Sequence, residues 1–228
     1  MGQGIRKGKL ISLEGPDGCG KSTQLKLLEK ALRKKGYSVL VTRQPGGTRF
    51  GAAMRAMLLD PKNTGLSERA ELFLYLADRA QHVKEVLEPA LKRGKIVLVD
   101  RYMDSTWVYQ GYGRGFPLDL IARCNLFAVD GLLPDVTLVF DLKAEEGLAR
   151  MGKAKRDRME RQSLAFHRRV REGFLALAKA FPRRVVILDA RETPAEIHDK
   201  VWNLLRRRLM LKANEQIKSP VAGERFFK

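Results

Sequence analysis

Residues 15–22 read Gly15-Pro16-Asp17-Gly18-Cys19-Gly20-Lys21-Ser22, with the spacing G-x-x-x-x-G-K-[ST], and no other stretch constrains the fold as much. The octet follows an apolar run at 9–14, KLISLE, and opens a helical pattern at 21–35, where Leu25, Leu28, Ala31 and Leu32 recur at helix spacing before Gly36. Between a strand and a helix, such a loop wraps phosphate. Its glycines let backbone N–H groups come close, and the helix N-terminus adds a favourable field. Lys21 is expected to reach the β and γ phosphates of a nucleotide and the Ser22 hydroxyl to ligate magnesium, with Gly15, Pro16, Asp17, Gly18, Cys19, Gly20 and Thr23 completing the cradle. The octet alone does not separate kinases from ATPases, GTPases or helicase motors.

Four further Val/Ile/Leu runs predict strands at 38–42, 95–100, 135–141 and 184–189. Helical patterns lie between them at 51–59, 67–93 (long and bent), 104–111 and 117–130; residues 144–180 alternate helix with a very basic stretch. A last helix opens with Thr193 as N-cap and Pro194 in the first helical position. Strands separated by helices pair in parallel, and near-continuous apolar strands are buried on both faces, so the expected class is α/β, a five-stranded parallel sheet with helices on both faces. One domain at 9–211 follows a short extension at 1–8 and precedes a basic tail at 212–228.

Charge is the unusual feature of the composition: 44 Lys and Arg against 26 Asp and Glu give +18. That excess attracts polyanions but names no chemistry. Cys19 and Cys124 are too few for a disulfide framework and lack zinc spacing, which suits a reducing, cytoplasmic setting. No signal segment and no apolar run long enough for a membrane span is read. The three histidines, His82, His167 and His198, share no metal-ligand spacing and read as structural or surface groups.

The third strand ends in Asp100-Arg101-Tyr102. An aspartate there can hold magnesium through water, and the adjacent arginine can clamp a second phosphate. Two facing phosphate sites suit transfer between nucleotides better than hydrolysis.

EGPDGCGKST, TRQPGGT, LADRAQHV, DRYMDSTWVYQGYGRG and KRDRME, in this order, resemble the thymidylate kinase family from about residue 9 to 205. The resemblance implies the P-loop nucleoside monophosphate kinase fold, ATP and Mg2+ as cofactors, dTMP as acceptor and a homodimer built on 117–133 and 67–93; nucleic acid is not an expected partner. For single residues it implies that Asp17 contacts the sugar 3′-hydroxyl and helps organise magnesium, that Arg43, Arg101 and, more weakly, Arg55 surround the acceptor phosphate beside Pro45, and that Tyr75 stacks on thymine. Arg79, one helical turn on, would bond a pyrimidine carbonyl, with Phe73 and Leu76 in the core. Ser105, Thr106, Tyr109 and Gln110 would close over base and sugar, Tyr109 disfavouring a 2′-hydroxyl. Residues 149–162 resemble a lid over ATP, with Glu160 reaching the acceptor side. The family carries its catalytic arginine either in the phosphate loop or in the lid; Gly18 stands at the loop position, leaving Arg150, Lys153, Arg156 and Arg158 as the lid candidates. Gln44 stands where the family usually has Glu, and Gln162 and Ser163 where it is often acidic.

Overall fold

The computed structural model describes residues 8–152 and 156–209. Lys153, the expected C-terminal tail and nearly all of the expected N-terminal extension lie outside the described residues.

The apolar runs form β1 Lys9–Glu14, β2 Val39–Arg43, β3 Ile96–Asp100, β4 Val136–Asp141 and β5 Val185–Asp189. They pair in parallel in the order β2-β3-β1-β4-β5. Helices α1 Lys21–Lys34 and α9 Pro194–Arg208 cover one face, where Leu28, Leu32, Val201 and Leu205 meet Ile11, Leu13 and Leu138. On the other face Leu10, Val97 and Val99 pack with Leu87 and Leu91, and Val139 packs with Phe166 and Phe174 of α8 Leu164–Ala180. Burial on both sides is why these strands read as unbroken apolar runs. Thr193 caps α9 in a reciprocal capping box with Glu196, and Pro194 follows it.

β1 lies at the centre, and register sets the site: Leu13 pairs with Asp100 of β3, and Asp100 with Arg43 of β2. Three carboxyl ends are therefore level, at the edge where open α/β sheets bind ligands.

The expected long helix is α3 Glu68–His82, a π turn Val83–Leu87 and α4 Glu88–Lys92 in succession. Pro89 has no N–H to offer the carbonyl of residue 85, and the widened turn, closed by Glu88 N–H on Val83 O, accommodates it. Α3 turns Leu72, Arg79 and His82 inward, so Phe73 is 65% exposed and Leu76 half-buried, a correction to the core assignment of both. α2 Arg49–Leu59 starts two residues earlier than its apolar pattern because the Thr48 side chain caps Gly51 N–H. α5 Met103–Thr106 continues as a second π segment, Trp107–Gly113, and α6 Leu118–Ala128 follows. α7 Ala144–Met151 ends at Gly152, and Ser163 caps α8, so the basic stretch is a connection between two helices. Among the described residues no helix is long and apolar enough to cross a membrane.

Candidate active site

A cavity of about 530 Å³ opens at the carboxyl edge of β1, β2 and β3. The phosphate loop forms one wall. At Gly15 (φ 135°) a Cβ would stand 2.5 Å from Phe140 O, and at Gly18 (φ 76°) it would stand 2.2 Å from Gly147 O in α7. The loop backbone is thus wedged against β4 and α7, and position 18 has no room for an arginine. Lys21 Nζ folds back on the loop, donating to Gly15 O at 3.1 Å and Pro16 O at 2.9 Å. Gly18, Gly20, Ser22 and Thr23 line the cavity; Gly15, Pro16 and Cys19 support the loop from behind.

Arg43, Pro45, Arg55 and Arg101 line the same cavity. Arg55 is half-buried with Nη1 on Pro45 O at 2.9 Å; burial and the like charge of Arg43 pull its pKa down, the signature of a cationic pocket that an anion would relieve. Arg101 has φ 65°, a left-handed strain held by its N–H on Leu13 O at 3.0 Å. That turn aims its guanidinium back at the loop, where it donates to Asp17 Oδ1 and, at 3.1 Å, to Gly15 O, lying 5.0 Å over the Tyr109 ring. Tyr109 OH donates to Asp17 Oδ2 at 3.1 Å. Burial pushes the Asp17 carboxyl up, but Arg101 and Lys21 outweigh it and hold it below its usual range. Asp17, Arg101 and Tyr109 are therefore one coupled unit.

Arg79 and Tyr75 form the far wall with Ser105, Thr106 and Gln110. Four of the five Arg79 N–H groups are already committed: Nε to Gln44 Oε1 at 2.9 Å, Nη1 to Thr106 Oγ1 and Asn125 Oδ1 at 2.7 and 2.9 Å, Nη2 to Tyr102 O at 3.0 Å. One N–H remains for a ligand. Tyr75 is half-buried, and desolvation raises its phenol pKa, so it stays neutral.

The lid arginines separate. Arg150 lines the cavity with Nη1 on Ala190 O at 3.1 Å. Arg156, away from the lining, donates to Gly152 O and Leu148 O at 2.8 and 2.7 Å. Arg158 differs from its expected place over the phosphates: it is buried, its Nε donates to Leu58 O at 2.7 Å, and Nη2 pairs with Glu71 Oε2 at 2.7 Å. Glu71, fully buried, also takes Arg114 (Nη2 at 2.9 Å) and Gln110 (Nε2 at 2.9 Å). Burial raises its pKa, and these partners together bring it below the usual range. Gln162 Oε1 accepts from Arg114 Nη1 at 2.8 Å, so an amide extends this network. Glu160 lines the cavity and caps the lid turn at Asp157 N–H, 2.9 Å.

Sequence reading missed Leu59, Met151, Asp157 and Met159 in the lining, and two buried carboxylates behind it. Glu14 accepts Tyr102 N–H and Ser105 Oγ–H, both at 2.6 Å; burial, then nearby Asp104, push its pKa up to about 7 despite those bonds. An acidic residue ending an otherwise apolar strand was its visible signal. Glu71 had none beyond a place in a helix's first turn.

Asp100 Oδ1 is buried with no hydrogen-bond partner, and the exposed Ser22 side chain lines the same cavity. A carboxylate oxygen awaiting a partner beside a hydroxyl is a hard-oxygen set that fits Mg2+. Among the described residues no cluster of three acidic, His or Cys side chains could hold a metal ion by itself.

A phosphate loop and a cluster of arginines lining one cavity at the carboxyl edge of this five-stranded parallel sheet define a P-loop kinase of nucleoside monophosphates. The thymidylate kinase family model matches residues 13–201, and the chain belongs to that family. It is 47% identical over 203 residues to the thymidylate kinase of Thermoanaerobacter sp. (strain X514), covering 89% of this chain and all of that one. Against the thymidylate kinase of Synechococcus sp. (strain JA-2-3B'a(2-13)) it is 51% identical over 203 residues, 88% of this chain and 96% of the relative. The crystal structure of thymidylate kinase from Ehrlichia chaffeensis superposes with a TM-score of 0.71 at 34% identity, covering 87% of this chain and 98% of that one.

Proposed function

We infer that the chain phosphorylates dTMP to dTDP, on the route to dTTP, with ATP as donor and Mg2+ as the assisting ion. One observation carries the reading beyond family membership: a phosphate loop and a second group of cations, Arg43, Arg55 and Arg101, line a single cavity. Hydrolysis would need only the first.

The acceptor phosphate is already a dianion, so its oxygen attacks the γ-phosphorus directly, the bond to the β,γ-bridging oxygen breaks, and ADP leaves; no side-chain nucleophile or base is required. Arg43, Arg55 and Arg101 hold the acceptor phosphate in line. Asp17, oriented by Arg101 and Tyr109, meets the sugar 3′-hydroxyl, and Tyr109 floors the deoxyribose. Tyr75 stacks on the base while the one uncommitted Arg79 N–H meets a pyrimidine carbonyl; an exocyclic amine there would face a donor. Lys21 leaves its loop carbonyls for the β and γ phosphates. Mg2+, held by Ser22 and through Asp100, would neutralise developing phosphate charge when bound.

Among the described residues Arg150 and Arg156 bond to backbone carbonyls alone, so their charge is available to the donor phosphates, whereas Glu71 balances Arg158. Alanine at Arg150 or Arg156 is expected to lower kcat/KM for ATP about 10²-fold. Loss of rate from the Arg158 variant alone, measured at equal folded fraction, would overturn that division.

Homodimer formation is supported by exposed Phe127 (91%), Leu126 and Leu120 on α6 and by Phe73 (65%) on the adjoining α3, and sedimentation velocity reads it directly. The low cysteine count suits a cytoplasmic enzyme. The functional test is the initial rate of ADP formation with ATP and Mg2+ against dTMP, dUMP, UMP and CMP. Turnover is expected with dTMP foremost and none without acceptor; acceptor-independent hydrolysis would sink the assignment.

A further inference from the structure

Behind Arg79 runs a buried chain of hydrogen bonds. Arg79 Nε–H reaches Gln44 Oε1 at 2.9 Å, Gln44 Nε2 lies 2.8 Å from His82 Nδ1, and His82 Nε2 lies 2.7 Å from Thr42 Oγ1. Gln44 is 3% exposed and His82 fully buried. The turn after β2 is pressed onto the imidazole so closely that a Cβ at Gly47 would stand 2.3 Å from its Nε2. Direction along the chain follows from one end. A guanidinium N–H can only donate, so the amide atom facing it is the oxygen. The Gln44 amide N–H₂ therefore points at His82 Nδ1, which must accept, and the ring's single proton sits on Nε2 and goes to Thr42 Oγ1.

We propose that Thr42, His82 and Gln44 form a relay that fixes the Arg79 guanidinium in the cavity, with His82 neutral and protonated on Nε2, making Gln44 and His82 positioning residues for recognition of the acceptor base. His82 lies behind the cavity, and Gln44 reaches its lining beside Arg79. They fix the angle at which the one uncommitted N–H of Arg79 is presented, and a donor offered at a fixed angle discriminates a carbonyl from an amine more sharply than a mobile one. The inference rests on the reading that Arg79 meets the base, but the state of His82 can be measured without any substrate.

Nitrogen-15 NMR of the imidazoles gives that state directly, with only three histidines in the chain. His82 is expected as the neutral Nε2–H tautomer at pH 7. In Gln44→Glu both side-chain oxygens accept, so the His82 proton is expected to move to Nδ1 or the ring to charge. An Nδ1–H tautomer in the unmodified protein, or no change in Gln44→Glu, would overturn the relay.

Kinetics supply the functional half. His82→Phe is expected to raise KM for dTMP about tenfold and narrow the preference for dTMP over CMP, leaving KM for ATP unchanged. His82→Asn, whose carbonyl can stand in for Nδ1, is expected to restore most of it. Equal effects of both variants, or equal shifts in both KM values, would reduce His82 to packing. Absence of dTMP turnover in the unmodified enzyme would instead strike the functional reading and leave the NMR result standing.

Discussion

A Lys21→Met protein is expected to fold normally and to lose about 10³-fold in kcat, at the level seen when one electrostatic contact to developing charge is removed. The expected fold integrity comes from what Lys21 touches. Among the described residues its ammonium bonds to groups of its own loop, the Gly15 and Pro16 carbonyls and the Cys19 sulfur, and methionine retains most of the apolar stem that the loop encloses. The loss of rate comes from geometry: Lys21 opens α1 directly behind the phosphate cradle, so its charge needs only a rotation from Gly15 and Pro16 oxygens to reach the β and γ phosphates. Circular dichroism, thermal melting and steady-state rates separate the two claims. A melting temperature unchanged with kcat within about tenfold of the parent would show that the loop N–H groups suffice without the lysine.

Glu71→Ala is expected to act in the opposite way, through stability. It would leave Arg114 and Arg158 buried around a vacated carboxylate, side chains only 11% and 9% exposed, at a cost of about 3–5 kcal/mol. For a chain of this length that is a fall in melting temperature of roughly 10 °C. Because Arg158 also binds the backbone at Leu58 and Leu59, the lid would lose its tie to α2, and protease cleavage within 149–162 should quicken. Glu71→Gln keeps the shape and two acceptor sites and should cost less. A melting temperature within about 2 °C of the parent for the alanine variant would mean the three side chains contribute no net stability.

Strand positions were legible because both sheet faces are buried, which turns each strand into an unbroken apolar word; the phosphate loop was legible because its glycines serve a backbone need. Charged side chains at or just beyond strand ends that line the cavity, Asp17, Arg43 and Arg101, were likewise readable, since a charge there has few structural uses. Phe73 was misread because exposure of an aromatic depends on which way a helix is rotated, and α3 spends its inward face on Glu71, Arg79 and His82. Arg158 and Arg156 are two residues apart and compositionally alike; only the position of Glu71, far away in the chain, decides which of them is neutralised. Polar groups satisfied by distant partners leave no local pattern, which is why Glu71 and the Thr42–His82–Gln44 relay emerged from the fold alone, while Glu14 showed only as an acidic end to an apolar strand.

The backbone contact between Gly18 and Gly147 ties the phosphate loop to α7. With the loop tip resting on the carbonyl of a glycine in α7, a side chain at position 18 collides unless that helix first moves aside, and moving it displaces the base of the lid. An arginine at position 18 would therefore need a coordinated change in two segments, the loop and α7, one that no single substitution in this chain can begin without loss.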